Sequence, residues 1–183
     1  MEFFPATPDR WDDLVELFGA KGACGGCWCM HWRVPAAVFE RFKGEGHKAA
    51  LKAVIDGGEV PGLLAYVDGR PVGWVAVAPR AAYVRLEKSR TLKPLDDQPV
   101  WSVVCFFVAK AHRRQGVSVA LLKAACRWAA EHGATVVEGY PTEPGQDLPD
   151  PFVYTGIASA FLAAGFQEAA RPARTRAIMR WYA

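Results

Sequence analysis

The sequence is short of most features that assign a protein at a glance. No stretch approaches the about 18 consecutive apolar residues that a bilayer-spanning helix needs, so no membrane span is expected. The opening MEFFPATPDRW carries no basic segment followed by an apolar run, so no secretory signal is read there. Five cysteines is an odd count that suits a disulfide framework poorly and points to a reducing, cytoplasmic setting. The 22 Lys and Arg against 19 Asp and Glu leave a formal charge of only +3, too small a surplus for electrostatically driven nucleic-acid binding. Basic residues gather at 80–93 and 171–180, but acidic residues dilute the first group. No repeat or low-complexity segment is present. What remains is 183 residues, 51% of them apolar, enough for one packed domain over residues 1–183.

Helical and strand-like patterns alternate along that length. EFFPA reads as a strand, and TPDRWDDLVELFGAKG as a helix with Thr7 as its cap, Pro8 in its first turn and Gly19 or Gly22 as its stop. Residues 35–58 form a second helical region, broken near Gly44 and Gly46 and stopped at Gly57 and Gly58. GLLAYVDGRPVGWVAVAP is a hairpin about Asp68-Gly69. Regularity lapses over residues 80–99, apart from a short helix within 83–89. VWSVVCFFVA is a strand buried on both faces, SVALLKAACRWAAEHG a helix ending at Gly133, and ATVVEGYP a further strand. A proline-rich loop at 143–151, a short helix ending in Gly165 and the closing strand RTRAIMRWY complete the order β-α-α-β-β-β-α-β-α-β.

The stretch CFFVAKAHRRQGVSVALL, residues 105–122, carries the clearest chemistry. A buried strand ends, a basic turn with Gly116 follows, and a helix begins at once. The first amides of a helix have no partner within it and point outward with the positive end of its dipole. A glycine lets an anion approach that backbone, and Arg113 and Arg114 add full charge beside it. The expectation is a phosphate or pyrophosphate site. Neither G-x-x-x-x-G-K-[ST] nor G-x-G-x-x-G occurs at the turn, which weighs against nucleoside triphosphates and dinucleotides.

Arg113-Arg114-Gln115-Gly116-Val117-Ser118 resembles the Q/R-x-x-G-x-G/A acyl-CoA signature of the GNAT superfamily of N-acetyltransferases, with Ser118 where Gly or Ala is usual. Phe106-Phe107-Val108 and SAFLAAGF also sit where that family's elements do, and the order of elements agrees over nearly the whole chain. The resemblance implies an α/β fold whose mixed, mostly antiparallel central sheet holds a splayed parallel strand pair between flanking helices. Acetyl-CoA would lie between the splayed strands, its pyrophosphate on the amides of residues 114–118 and its pantetheine arm along Phe107 and Val108. The residues VEGYP, 137–141, would line the other half of the cleft. A homodimer is common in the family. Many members place a tyrosine acid four residues before the Gly-Phe pair; here that position is Phe161, and the site of a frequent asparagine falls near Tyr154.

An amine attacking a thioester must shed a proton, and the oxyanion that forms needs a donor, for which a backbone N–H near Val108 would serve. Glu138, an acid within an apolar strand, is the first candidate base. Facing solvent or pairing with an arginine is the competing role of Glu138; Tyr140, on the same strand face, is a stand-in for the missing acid, with core or rim packing as its competing role. His112 neighbours the phosphate turn, while His47 and His132 fall at exposed helical positions.

KGACGGCWCMHWR, residues 21–33, admits three readings. Cys24, Cys27, Cys29 and His31 are enough in number for zinc, but no second CxxC follows and Cys27-x-Cys29 is a tight fit for one ion; no metal site is assigned. Cys24 and Cys27 could act as a redox pair, though not at the start of a helix. The preferred reading is the wall of an acceptor pocket, in which Trp28 and Trp32 give aromatic surface while Cys29 and His31 give polar points and His31 is a second candidate base. An inert buried lid competes with it. The function expected is acetyl transfer from acetyl-CoA to a primary amine of a small molecule, since acidic residues cluster only at Asp96-Asp97 and 143–150. A non-catalytic acyl-CoA-binding or sensing module is the alternative.

Overall fold

The computed structural model describes residues 1–143 and 154–183, so most of the expected proline-rich loop lies outside the described residues. Seven strands form a sheet in the order β1-β2-β3-β4-β5-β7-β6. They are β1 (Glu2–Pro5), β2 (Gly62–Val67), β3 (Arg70–Pro79), β4 (Trp101–Val108), β5 (Val136–Gly139), β6 (Gln167–Ala173) and β7 (Arg176–Tyr182). Every adjacent pair is antiparallel except β4 and β5. The β2–β3 hairpin turns on Asp68 and Gly69, with φ of 50° and 73°, the left-handed pair that a two-residue turn requires.

Helices cover both faces. On one, α5 (Val117–Glu131) buries Leu121, Leu122 and Ala125 against Val75, Val77 and Val103. On the other, α1 (Trp11–Phe18) and α3 (Glu45–Asp56) pack Leu14, Leu51 and Ile55 onto Leu64, Trp74 and Val104. Each such side chain contributes about 1.5–3 kcal/mol by leaving water. Three short helices complete the fold: α2 (Ala36–Arg41), α4 (Val84–Glu87) and α6 (Ala158–Ala163). Gly73 lets α5 sit close on β3: a Cβ there would lie 3.0 Å from Val117 and 3.1 Å from Leu121. The start of α5 is thereby held beside the end of β4.

Three local expectations change. Thr7 does not cap a helix; its hydroxyl bonds the Pro5 carbonyl and accepts from Arg10, and a 3-10 turn at Pro8–Arg10 precedes α1. His47 is buried, not exposed: its ring stacks on Phe39 and its Nδ1 lies 3.0 Å from the Gly26 carbonyl, pinning the cysteine loop to α3. The strand β6 was not expected. It is an edge strand, largely exposed and interrupted by Pro172, so it shows neither alternation nor an apolar run.

The parallel pair is the feature that opens a site. β4 and β5 pair only through Trp101, Ser102 and Val103 with Val137, Glu138 and Gly139. Val104 then bulges, because Ala76 faces Cys105 while Val77 faces Val103. Beyond it the strands part, and residues 154–157 enter between them: the Phe106 N–H donates to the Tyr154 carbonyl at 2.6 Å, and the Thr142 N–H to the Gly156 carbonyl at 2.9 Å.

Candidate active site

The turn after β4 has the geometry that its residues predict. Arg114 and Gly116 are left-handed, with φ of 59° and 78°, and Gly116 occupies the cap position of α5. The Ala120 N–H bonds back to the Gly116 carbonyl at 3.0 Å, leaving the amides of Val117, Ser118 and Val119 without partners inside the helix. A Cβ built on Gly116 would meet nothing within 4 Å, so the backbone faces open space. Arg113 Nε donates to the Val108 carbonyl at 3.0 Å, tying the turn to the strand end. Gln115 instead donates to the Ala111 carbonyl at 2.9 Å and braces the turn from outside the cavity.

A cavity of about 1040 Å³ runs from this turn along the end of β4 to the cysteine loop. It joins two segments that the sequence kept apart. Phe107, Val108, Arg113, Arg114, Gly116, Val117 and Ser118 line one part, and Cys29, His31 and Trp32 the other. Among the described residues lining it there is no aspartate or glutamate, while Lys110, Arg113 and Arg114 supply positive charge. The donor set, amides at a helix start with lysine and arginine around them, fits a diphosphate. Trp28 does not line the cavity. It is buried behind the loop, packed on Trp11 and Phe18 with ring centroids 6.0 and 5.5 Å away.

Glu138 and Tyr140 are not brought to the cavity either. Both are fully buried and locked to each other and to two buried arginines. Tyr140 donates to Glu138 Oε2 at 2.8 Å, and Arg180 Nε and Nη2 each lie 2.8 Å from Glu138 Oε1. Arg80 Nη1 donates to the Tyr140 hydroxyl at 2.9 Å and lies 3.6 Å from Glu138 Oε2, and Ser102 Oγ is 2.9 Å from the same hydroxyl. Arg80 also bonds Glu87 and the carbonyls of Leu86 and Leu92, while Arg180 reaches Asp96. The strand alternation correctly placed Glu138 and Tyr140 on one face. That face is filled by arginines, and neither residue lines the cavity.

Two other groups face the cavity with usable chemistry. His31 has Arg85 Nη1 at 2.7 and 3.0 Å from its ring nitrogens. Burial, then the Arg85 charge, lower its pKa to about 4, so the ring is neutral at neutral pH. Tyr154, whose ring meets that of His31 edge to face at 6.0 Å, was noted in the sequence only as the position of a missing asparagine. Burial raises its pKa, so it holds its proton. Phe161 is a core residue, fully buried against Phe106 and Phe166, and a Cβ on Gly139 would clash with its ring.

One backbone amide of β4 turns away from β3. The Ala109 N–H bonds the Val72 carbonyl at 2.9 Å, and Gly73 is opposite Val108. Hydrogen-bonded and non-bonded pairs alternate in an antiparallel ladder, so the Val108 N–H points away from β3, to the side where the Phe106 N–H meets Tyr154.

No curated protein sequence matches the chain. The sequence profile of the Acetyltransferase (GNAT) family matches residues 29–146. The fold is similar to the PaiA N-acetyltransferase of Thermoplasma acidophilum in complex with coenzyme A, at TM-score 0.56 and 13% identity over 100% of this chain and 98% of that one. It is similar to an aminoglycoside antibiotic 6'-N-acetyltransferase of Acinetobacter haemolyticus, at TM-score 0.52 and 20% identity over 93% and 94% of the two chains. A ribosomal-protein-alanine N-acetyltransferase of Brucella melitensis shares the fold at TM-score 0.55 and 16% identity over 100% of both chains.

Proposed function

Because the chain belongs to the GNAT acetyltransferase family and is an acyl-CoA-dependent N-acyltransferase using acetyl-CoA, we propose that its acceptor is the primary amine of a small molecule. The observation that carries this reading is the single cavity in which the anion-binding turn opens onto an aromatic and thiol-lined chamber without a carboxylate among its described residues. A polycationic acceptor, or a lysine-rich protein segment, would call for acidic side chains there. The partners that fit are neutral or carrying an anionic group.

The same charge pattern favours the chemistry. Amines enter water-filled sites protonated, and nearby cations, with no carboxylate among the described lining residues to offset them, favour the neutral, nucleophilic form. His31, already neutral and held by Arg85, adds no competing charge and presents its ring to the incoming amine. The Val108 N–H receives the carbonyl oxygen as charge builds on it. Tyr154, which burial keeps protonated, gives its proton to the departing thiolate and regains one from the amine nitrogen, which sheds a proton as the C–S bond breaks. The amides of Val117 and Ser118, with Arg113 and Arg114, hold the diphosphate.

The test is thiol release from acetyl-CoA across an array of small amines, amino-acid amides, polyamines and lysine peptides. Turnover of small non-polycationic amines is expected. The Tyr154→Phe variant should lose about 10²-fold in kcat, the lower end of general-acid contributions, with the KM for acetyl-CoA unchanged. Preference for polyamines or peptides would refute the acceptor assignment, and acetyl-CoA binding without transfer to any amine would favour an acyl-CoA-binding module.

A further inference from the structure

Four of the five cysteines line the cavity, and the acyl transfer described above needs none of them. Two of the four are held in contact. Cys29 Sγ lies 3.4 Å from Cys105 Sγ, although 76 residues separate them in the chain. Cys29 is buried, with the Trp74 indole N–H donating to its sulfur at 3.2 Å, while Cys105 is half-buried on β4. The contact is held by a strained backbone. Trp28 and Cys29 are successive non-glycine residues with φ of 46° and 54°, a conformation that persists only where the surroundings enforce it. Here the enforcement is the Trp28 ring, clamped against Trp11 and Phe18. A disulfide needs its sulfurs about 2.05 Å apart, so closure takes a movement of roughly 1.4 Å.

We propose that Cys29 and Cys105 are a redox-modification site, forming a reversible disulfide with hydroperoxides that arrests acyl transfer and spares acetyl-CoA binding. The Cys105 sulfur attacks hydrogen peroxide, the O–O bond breaks, the thiol proton leaves with the departing hydroxide as water, and a sulfenic acid forms. Cys29 then attacks the Cys105 sulfur; its S–H proton leaves with the hydroxyl as a second water, and the S–S bond forms. Two thiols lose two electrons to one peroxide. Cys29 takes the second role because the adjacent Cys105 and burial hold its thiol well above the ordinary range. The bond staples the acceptor wall to β4, whereas the diphosphate turn at 113–118 is untouched. The effect on turnover rests on the acetyltransferase reading; the disulfide itself does not.

The experiment treats the full chain with hydrogen peroxide, caps free thiols by alkylation and maps the unreduced peptides by mass spectrometry. A peptide joining Cys29 to Cys105, two hydrogens lighter than its parts, is expected. Turnover should drop by at least about tenfold and return with dithiothreitol, while calorimetry gives an acetyl-CoA Kd within about twofold of the reduced protein. A Cys24–Cys27 link, or Cys105 oxidised alone to the sulfinic acid, would overturn the proposal. Cys29→Ala and Cys105→Ser are each compared with their own untreated rate, and a dithiothreitol-reversible loss persisting in either would also overturn it. The peptide map is read without turnover, so failure of the acetyltransferase reading shows up separately.

Discussion

Replacing Glu138 with glutamine separates a structural carboxylate from a catalytic one. In the native protein this carboxylate faces two buried guanidiniums, with Arg180 at 2.8 Å and Arg80 at 3.6 Å, and accepts from Tyr140 at 2.8 Å. At an effective dielectric near 20, two unit charges about 4 Å apart attract by about 4 kcal/mol. Removing one member of a buried pair typically costs about 3–5 kcal/mol, because the partner charge stays in the interior. Two things soften the loss here: Arg180 keeps Asp96 and Arg80 keeps Glu87, both partly exposed, and glutamine still offers an oxygen to Arg180. The expected destabilisation is therefore about 3 kcal/mol. In urea, with a slope of about 2 kcal/mol per molar, the midpoint should fall by roughly 1.5 M. In heating, Tm should drop by about 6–12 °C for a chain this size. The seven tryptophans make fluorescence a direct readout. Under folded conditions kcat should stay within about threefold of the parent. An unchanged midpoint with a hundredfold loss of kcat would refute the reasoning and return Glu138 to the list of bases.

Two further outcomes follow from the site. Gly116→Glu places a carboxylate before the unpartnered amides of α5 and should raise the acetyl-CoA Kd by about 10²-fold in calorimetry, a loss of about 3 kcal/mol. Gly116→Asn, which tolerates a left-handed backbone, should retain most of the affinity. The His31 ring titrates near its ordinary 6.5 when unfolded and at about 4 when folded, so the unfolded chain binds more protons between those values. Its contribution to stability is complete above pH 6.5 and is lost as pH falls towards 4. That window would be worth about 3 kcal/mol for a sealed group, and partial exposure reduces it to about 1–2 kcal/mol. Urea midpoints of the parent and His31→Gln should converge as pH drops from 6.5 to 4, and parallel curves would contradict this.

The local signals in the sequence carried far. The Asp68-Gly69 turn, the doubly buried strand β4, the helix after Gly116 and the break before α3 are all written in residue types that act within a few positions. The backbone geometry of the turn before α5 was legible for the same reason. Contacts made across the sheet were not. Glu138 and Tyr140 share a face by simple alternation, but a strand buried on both sides gives no hint whether that face meets a cavity or two arginines. Tyr154 and Cys105 reach the cavity only because the bulge at Val104 parts β4 from β5 and the cysteine loop folds back from the other side. Strand β6 was hidden because an exposed edge selects for charge, small residues and proline rather than for a pattern.

Arg80 has a further consequence. The 21 residues between β3 and β4 contain little regular structure, yet one buried guanidinium bonds the carbonyls of Leu86 and Leu92 and the carboxylate of Glu87 while its remaining edge is seated on Tyr140. Opening that segment exposes a charge whose other contacts lie inside the sheet. Fraying there is therefore coupled to loss of the core, and a stretch that would ordinarily breathe on its own becomes part of the same cooperative unit as the strands it connects.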